Sequence, residues 1–316
     1  MTETLEQEPG QAVPPAAPEP ADGPDGTVAE LLRLRTRIFL LSPLRKRLAR
    51  LLSRMLGKTA GQDILSYTAD ELVAAVVAQN ADPAGEAAWT AAAESPARGA
   101  LLGGLGFRQV REVGAEGRIG VDEASQDAAV LSCVLEYAVR PEDVMAQVHR
   151  ALRPKTRLIL HVRRRRRSLI GLFRRWAGLA DPSRPPVRGG FTPAELFDAI
   201  KDGFDVQETE AYGKFFTEFT EVLAELFAGL VPDTCEEASL RPGSLKRALW
   251  AYRLFTPLFW ISAALDAVCF FLPCHHLVIR AKRRMLWVPR VTPRLRDGRS
   301  IAEAALGSKI GTAVDS

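Results

Sequence analysis

The sequence predicts an α/β fold, an open and mostly parallel sheet flanked by helices. Apolar pieces near Asp63–Leu65, Ala87–Ala93, Asp127–Cys133 and Arg157–Val162 recur along the chain. Helical patterns at Asp70–Gln79 and Pro141–Leu152 separate them, the alternation that parallel strands with crossover helices produce. The stretch FTPAELFDAIKDGFDVQETEAY repeats the unit. In it Thr192 and Glu195 form a capping box, Pro193 fits the first helical position, and Gly203 ends the helix before a strand at Phe204–Ala211.

The elements before that sheet are of a different kind. Residues 1 to 26 hold six acids and no Lys or Arg, so the rest of the chain carries a formal charge of +10 against +4 for the whole. This Pro- and Ala-rich acidic tail buries too little apolar surface to offset ordering entropy, and is predicted to be disordered. It has neither a basic leader nor an apolar core, so no secretory signal is expected. From Val28 to Leu56 leucines recur three and four apart among eight basic residues, which predicts a basic amphipathic helix broken near Pro43. Such a helix either lies on a membrane with its arginines on anionic headgroups or packs on the domain with a solvated basic face.

The last third is apolar. After the polar linker VPDTCEEASLRPGS, the only charge between Arg253 and Arg280 is Asp266. Leu254 to Leu272 approaches transmembrane length. However, Asp266 would cost about 2.5–3.5 kcal/mol near a bilayer centre, Pro257 interrupts the early turns, and basic residues flank both ends. The segment is therefore expected in the membrane interface or against the domain, with Trp250, Phe255, Phe259 and Trp260 as anchors. The four cysteines, Cys133, Cys235, Cys269 and Cys274, lack metal-ligand spacing and read as reduced structural thiols.

In DAAVLSCVLEYAVRPEDVMAQVHRALRPKTRLILHV, Asp127, the run Val134-Leu135-Glu136-Tyr137 and the run Leu152-Arg153-Pro154 stand in a characteristic order. With GGFTPAELFDAIKDGFDVQETEAYGKFFTE and the closing HLVIRAKRR, this resembles the class I S-adenosylmethionine-dependent methyltransferases of the small-molecule and lipid-modifying type, over roughly residues 55 to 285. The resemblance implies a Rossmann-like fold with a seven-stranded sheet. It implies S-adenosylmethionine as cofactor, with Asp63, Ser66, Tyr67, Glu94, Asp122 and Cys133 along its site, and a lipid, quinone or lipid-linked saccharide as substrate.

The sequence departs from that family in four places. The glycine-rich loop after strand one reads Asp63-Ile64-Leu65-Ser66-Tyr67-Thr68-Ala69. The acid closing strand two, which in the family accepts bonds from the ribose, falls at Ala93 in register and at Glu94 one step late. The family's VLEH histidine is Tyr137, and the glycine pair of LRPGG is Lys155-Thr156. Bulky residues cannot take the positive φ or the close ligand approach that glycine permits. Thr68 and Glu71 read as a capping box that would satisfy the helix start without a ligand. The expectation is a retained fold whose cofactor site is weakened or lost; the alternatives are an active methyltransferase and a non-catalytic scaffold.

Candidate catalytic residues are those at the carboxyl ends of strands, where open α/β sheets bind ligands: Glu136, Tyr137, His161 and Tyr212. Each has a structural reading as well, as rim aromatic or hydrogen-bonded core histidine. His149 is expected on an exposed helix face, and the His275-His276 pair lacks a third ligand, so no metal is assigned. Five arginines at Arg163–Arg167, followed by Leu169, Ile170, Leu172, Phe173 and Trp176, suggest membrane docking or nucleic-acid contact. The apolar carboxy-terminal segment favours lipid. A peripheral protein on the cytoplasmic face of an anionic membrane is the expectation, with a protein partner as a further possibility and nucleic acid disfavoured.

Overall fold

The computed structural model describes residues 24–114, 118–165, 170, 187–229, 241–269 and 271–288. The acidic tail to residue 23, most of the arginine-aromatic stretch, most of the polar linker and the chain after residue 288 lie outside the described residues, and the expectations placed on them go with them.

Seven strands form one sheet: β1 (Asp63–Thr68), β2 (Ala88–Ala93), β3 (Gln109–Glu112), β4 (Gln126–Ser132), β5 (Leu152–Arg163), β6 (Phe204–Tyr212) and β7 (His276–Arg283). Their order is β3-β2-β1-β4-β5-β7-β6. The first five run parallel, and β7 enters antiparallel between β5 and β6. This is the Rossmann-like class I methyltransferase fold. Strand β3 was not foreseen, because QVRE is a short polar edge strand with little buried surface.

The helices are α1 (Pro24–Leu41), α2 (Pro43–Leu56), α3 (Glu71–Ala81), α4 (Pro96–Gly104), α5 (Pro141–Ala151), α6 (Pro193–Ile200), α7 (Phe215–Ala228) and α8 (Pro242–Val268). Side chains alternate across the sheet. Ile64, Ala128, Val130 and Ile159 face α2 and α3, while Leu65, Ala129, Leu131 and Leu158 face α5 and α6. The predicted capping box at Thr192 and Glu195 opens α6, with both reciprocal bonds made.

The amphipathic segment divides at Ser42, whose side chain accepts from the Arg45 amide and donates to Glu221. Its apolar stripe faces inward: Leu48, Leu51, Leu52, Met55 and Leu56 are buried against the sheet. Leu31, Leu32, Leu34 and Ile38 join α7 and α8 in a separate cluster. Of its arginines, Arg35 and Arg45 are buried and paired. Between the two expectations for this segment, packing on the domain is the one that its apolar face follows.

Helix α8 continues through Pro257, so the expected interruption does not occur. The side chain of Asp266 turns inward and caps α7: Oδ1 accepts from the Phe216 amide at 3.0 Å, and Oδ2 from the Thr217 amide at 2.9 Å and the Thr217 hydroxyl at 2.6 Å. Lys214, at the N-cap of α7, makes no side-chain cap, so a residue of another helix supplies it. On the outer side Trp250, Leu254, Trp260, Ile261, Leu265 and Val268 are exposed, whereas the expected anchor Phe259 is buried.

Replacing the fully buried Leu52 with Ala should lower the unfolding free energy by about 2–5 kcal/mol in lipid-free buffer. Urea denaturation measures it. A helix held mainly by lipid would show no such loss.

Candidate functional site

The strand order reverses between β1 and β4, and at such a switch point the connecting segments diverge and leave a crevice at the carboxyl edge of the sheet. A partly open cavity lies there. Its floor includes Ala69 after β1, Ser132 and Cys133 at the end of β4, His161 and Arg163 on β5, Tyr212 closing β6 and His276 opening β7. Because β7 is antiparallel, its first residue reaches the same edge as the last residues of its neighbours. Helices α2 and α7 cover the floor with Leu44, Arg45, Leu48, Glu218, Glu221 and Glu225.

A chain of hydrogen bonds crosses the cavity. Glu218 Oε2 lies 3.1 Å from His276 Nε2, and His276 Nδ1 lies 3.2 Å from His161 Nε2. His161 Nδ1 lies 2.8 Å from Ser132 Oγ and 3.6 Å from Cys133 Sγ. The carboxylate accepts only, so His276 Nε2 donates to Glu218. His161 Nδ1 thus faces both the serine and the cysteine. Tyr212 Oη lies 3.0 Å from His161 Nε2, and the Tyr212 and His276 rings stack at 4.9 Å.

Burial first, then His276 and Arg163, push the His161 imidazole well below its ordinary range, with Glu218 opposing, so the ring is neutral at pH 7. Burial first, aided by Cys133 and Glu218, pushes the Tyr212 phenol well above its ordinary value. Cys133 has φ 54°, a conformation costing a residue with a side chain about 1–2 kcal/mol. Its amide donates to the His161 carbonyl at 3.0 Å, which ties the ends of β4 and β5 together.

At the corner where the family resemblance lays a nucleotide, the details differ from expectation. Strand β1 runs on to Thr68, so Leu65, Ser66 and Tyr67 are strand residues and only Ala69 and Asp70 form the turn. Leu65 and Tyr67 belong to the core on the α5 and α6 side. The expected Thr68–Glu71 capping box is absent. Asp70 is the cap, accepting from the Leu72 and Val73 amides at 2.9 and 3.2 Å, and Thr68 bonds the Asp70 carbonyl. Glu71 is buried between two guanidinium groups: Arg35 at 2.6 Å and Arg98 at 2.8 Å. Burial alone would raise its carboxyl, but Arg35 and Arg98 outweigh it and hold it below the usual range. Arg98 also donates to the Thr68 carbonyl at 2.5 Å and stands 3.7 Å from Glu94. Glu94, just past β2, accepts from the Tyr67 hydroxyl at 2.5 Å.

The cavity thus gathers His161, Tyr212 and Cys133 from the expected site residues. It does not gather Glu136 and Tyr137. Glu136 is buried under the β5 end, accepting from the Arg163 amide at 2.6 Å, and burial raises its carboxyl despite that bond. Asp63 and Asp122 lie at the opposite, amino edge of the sheet, because each precedes or opens its strand. Asp63 pairs with Arg153, and the Asp122 carbonyl accepts from Ser125. His149 is buried, not exposed; it contacts the Phe204 and Trp287 rings and bonds the Arg284 carbonyl at 3.2 Å. Sequence reading missed Ser132, His276 and Glu218 as a group. The adjacent histidines were its one signal, and the third member comes from a helix 58 residues away. Among the described residues no cluster has metal-binding geometry.

The sequence matches no family model and no curated protein. Solved structures similar to the chain include the [4+2]-cyclase SpnF, at 15% identity over 75% of this chain and 81% of that one, with a TM-score of 0.47. They include geranyl diphosphate C-methyltransferase from Streptomyces coelicolor A3(2), in complex with S-adenosyl-L-homocysteine, at 13% identity over 86% and 90%, TM-score 0.47. An S-adenosylmethionine-dependent methyltransferase from Mesorhizobium loti is 14% identical over 74% and 96%, TM-score 0.41.

The His161 environment sets a pH dependence. The unfolded imidazole titrates near about 6.5 and the folded one lower, so below about 6.5 the unfolded chain binds the extra proton and native stability falls. His161→Asn should flatten this acid-side loss. Urea midpoints between pH 7.5 and 5.5, for both proteins, measure it.

Proposed function

We propose that this methyltransferase-fold protein works at an anionic membrane surface through the cavity at the carboxyl edge of its sheet, without S-adenosylmethionine. The observation that carries the reading is the Arg98 guanidinium, which lies on the Thr68 carbonyl and on Glu71 at the end of β1. The family resemblance would have a bare backbone approach the cofactor at that turn. Here the amides of α3 are spent on Asp70, and the acid after β2 is bonded by Tyr67. On this reading the groups that would receive the cofactor are engaged with one another instead.

The membrane part of the reading rests on α8. From Trp260 to Val268 only Ser262 and Asp266 are buried, and the exposed remainder is wholly apolar, with Trp260 78% and Val268 74% exposed. Phe271, beyond the helix end, is exposed as well. Single exposed apolar residues are ordinary, but a contiguous group with tryptophan fits the bilayer interface. The helix passes the length and hydropathy test for a membrane span. Its inner stripe nevertheless packs on α7, which suits lying in the interface better than crossing it. Asp266 bonds the Phe216 and Thr217 amides in the turn that carries Glu218, so the apolar tip and the cavity share a helix end. The cytoplasmic face suits a chain in which Cys133, Cys269 and Cys274 form no disulfide.

A second reading, S-adenosylmethionine-dependent methylation of a lipid, quinone or lipid-linked saccharide, is favoured by the position of the cavity, which reaches Ala69 and Asp70 at the switch point. One titration separates the two. Calorimetry with millimolar S-adenosylmethionine should give no binding heat; saturable heat that Glu94→Ala weakens would establish the second reading instead.

Two further outcomes are expected. Arg98→Ala should cost about 3–5 kcal/mol in urea unfolding, because it strips a partner from the buried Glu71. The triple substitution Trp260→Ser, Ile261→Ser and Leu265→Ser should abolish cosedimentation with phosphatidylglycerol vesicles while leaving the urea midpoint unchanged. Retained binding would remove α8 from the membrane reading.

A further inference from the structure

The mouth of the cavity brings cations from separate elements next to an exposed apolar helix end. On the membrane reading above, we propose that Arg47 and Lys214, with Arg164 beside them, seat the phosphate of one anionic phospholipid at this mouth, and that its acyl chains lie on the outer side of the α8 end.

Three strand ends set the arrangement. The Arg164 amide, just past β5, donates to the His275 carbonyl at 2.8 Å, and the His275 amide donates to the Gly213 carbonyl at 2.8 Å. Gly213 follows β6 and turns at φ 72°, where a β-carbon would stand 2.7 Å from the His276 ring and 3.6 Å from the Leu44 side chain. That turn carries the chain to Lys214, whose Nζ donates to the Asp266 carbonyl near the end of α8 at 2.9 Å. The bond holds the ammonium in place and leaves its other N–H groups for a further acceptor. Arg47 follows Leu44 by three residues and so stands on the same face of α2, exposed. Among the described residues no carboxylate pairs with it.

The charges converge on the Cys274 sulfur. Burial raises that thiol, and Lys214, Arg47 and Arg164 each oppose the rise, so all three cations reach one point. Asp266 acts the other way, but both its oxygens are bonded to the opening amides of α7. Burial raises the Tyr212 phenol too, and Arg47 is among the charges that oppose it, which places its field at the cavity. Deeper in, Asp70, Glu218 and Glu221 line the wall, so a phosphate is attracted to the mouth and repelled from the interior. Beside the mouth Leu265, Val268 and Phe271 are exposed, and Lys214 bonds the residue that lies between the first two. Cations adjoining an apolar helix face match an anionic headgroup with chains attached, whereas a free anion would leave the apolar side uncovered.

The test uses dihexanoyl phosphatidylglycerol, held below its micelle concentration, on the full-length protein. The rate at which N-ethylmaleimide alkylates Cys274, mapped by mass spectrometry, is the local readout. The lipid should slow Cys274 severalfold and saturably. Arg47→Gln combined with Lys214→Gln should raise the half-protecting concentration about thirtyfold, as the loss of two cations facing an anionic headgroup implies. Dihexanoyl phosphatidylcholine, with the same chains and no net charge, and inorganic phosphate, with no chains, should each leave the rate unchanged at the same concentration. Equal protection by phosphatidylcholine overturns the anionic headgroup, and equal protection by phosphate overturns the lipid. Absence of protection by phosphatidylglycerol overturns the proposal, as does an unchanged half-protecting concentration in a folded double variant. If that variant fails to fold, the wild-type ranking of the three probes decides. Vesicle cosedimentation of the α8 triple variant tests the membrane reading separately, so the two failures are distinguishable.

Discussion

One buried carboxylate between two guanidinium groups sets the geometry of the whole carboxyl edge. Glu71 sits in the first turn of α3, Arg35 comes from α1 and Arg98 from α4. Taking three charges out of water is costly unless each is paired and hydrogen-bonded. The cluster therefore fixes where two outlying helices meet the end of β1, and Arg98 adds the bond to the Thr68 carbonyl. An open α/β sheet normally leaves this place for an anionic or nucleotide ligand, since helix amides converge there. Here the protein supplies its own anion and its own cations. The consequence extends to the neighbouring cavity, where Arg45, at 3.8 Å from Asp70 and 3.9 Å from Glu221, links the same turn to the roof.

The sheet was legible from sequence because its strands are apolar and its helices carry cap signals. Val130-Leu131 and Leu158-Ile159-Leu160 are buried on both faces, so they read as continuous apolar runs. Thr192, Pro193 and Glu195 mark a helix start by local chemistry alone. The short polar edge strand β3 gives no such signal; α4 does open on a cap, Ser95 followed by Pro96, but its Ala- and Gly-rich turns offer few apolar residues to mark a helix face. The boundary of β1 was misread for a related reason: the last three residues, Ser66, Tyr67 and Thr68, are polar or amphipathic, so the run seems to end at Leu65.

The site was legible in position more than in membership. Carboxyl ends of strands are predictable from the order of elements, and His161, Tyr212 and Cys133 follow from that. Pairing across the sheet is not, because an antiparallel strand brings its first residue to the edge where its neighbours end. His276 arrives by that route. Glu218 arrives from a helix above the sheet, and a single sequence contains no register between the two. A fold hosts many chemistries through such local substitutions, so likeness of architecture leaves the chemistry to be argued from the site.

The inward turn of Asp266 has a mechanical corollary. Helix α8 presents an exposed apolar side, and its inner side is tied to the body by a carboxylate bound to the opening amides of α7. Displacing it outward would unwind the very turn that carries Glu218, the terminus of the histidine chain. The placement of α8 and the geometry of the cavity are thereby linked through a single side chain, as a pawl links a ratchet to its spring.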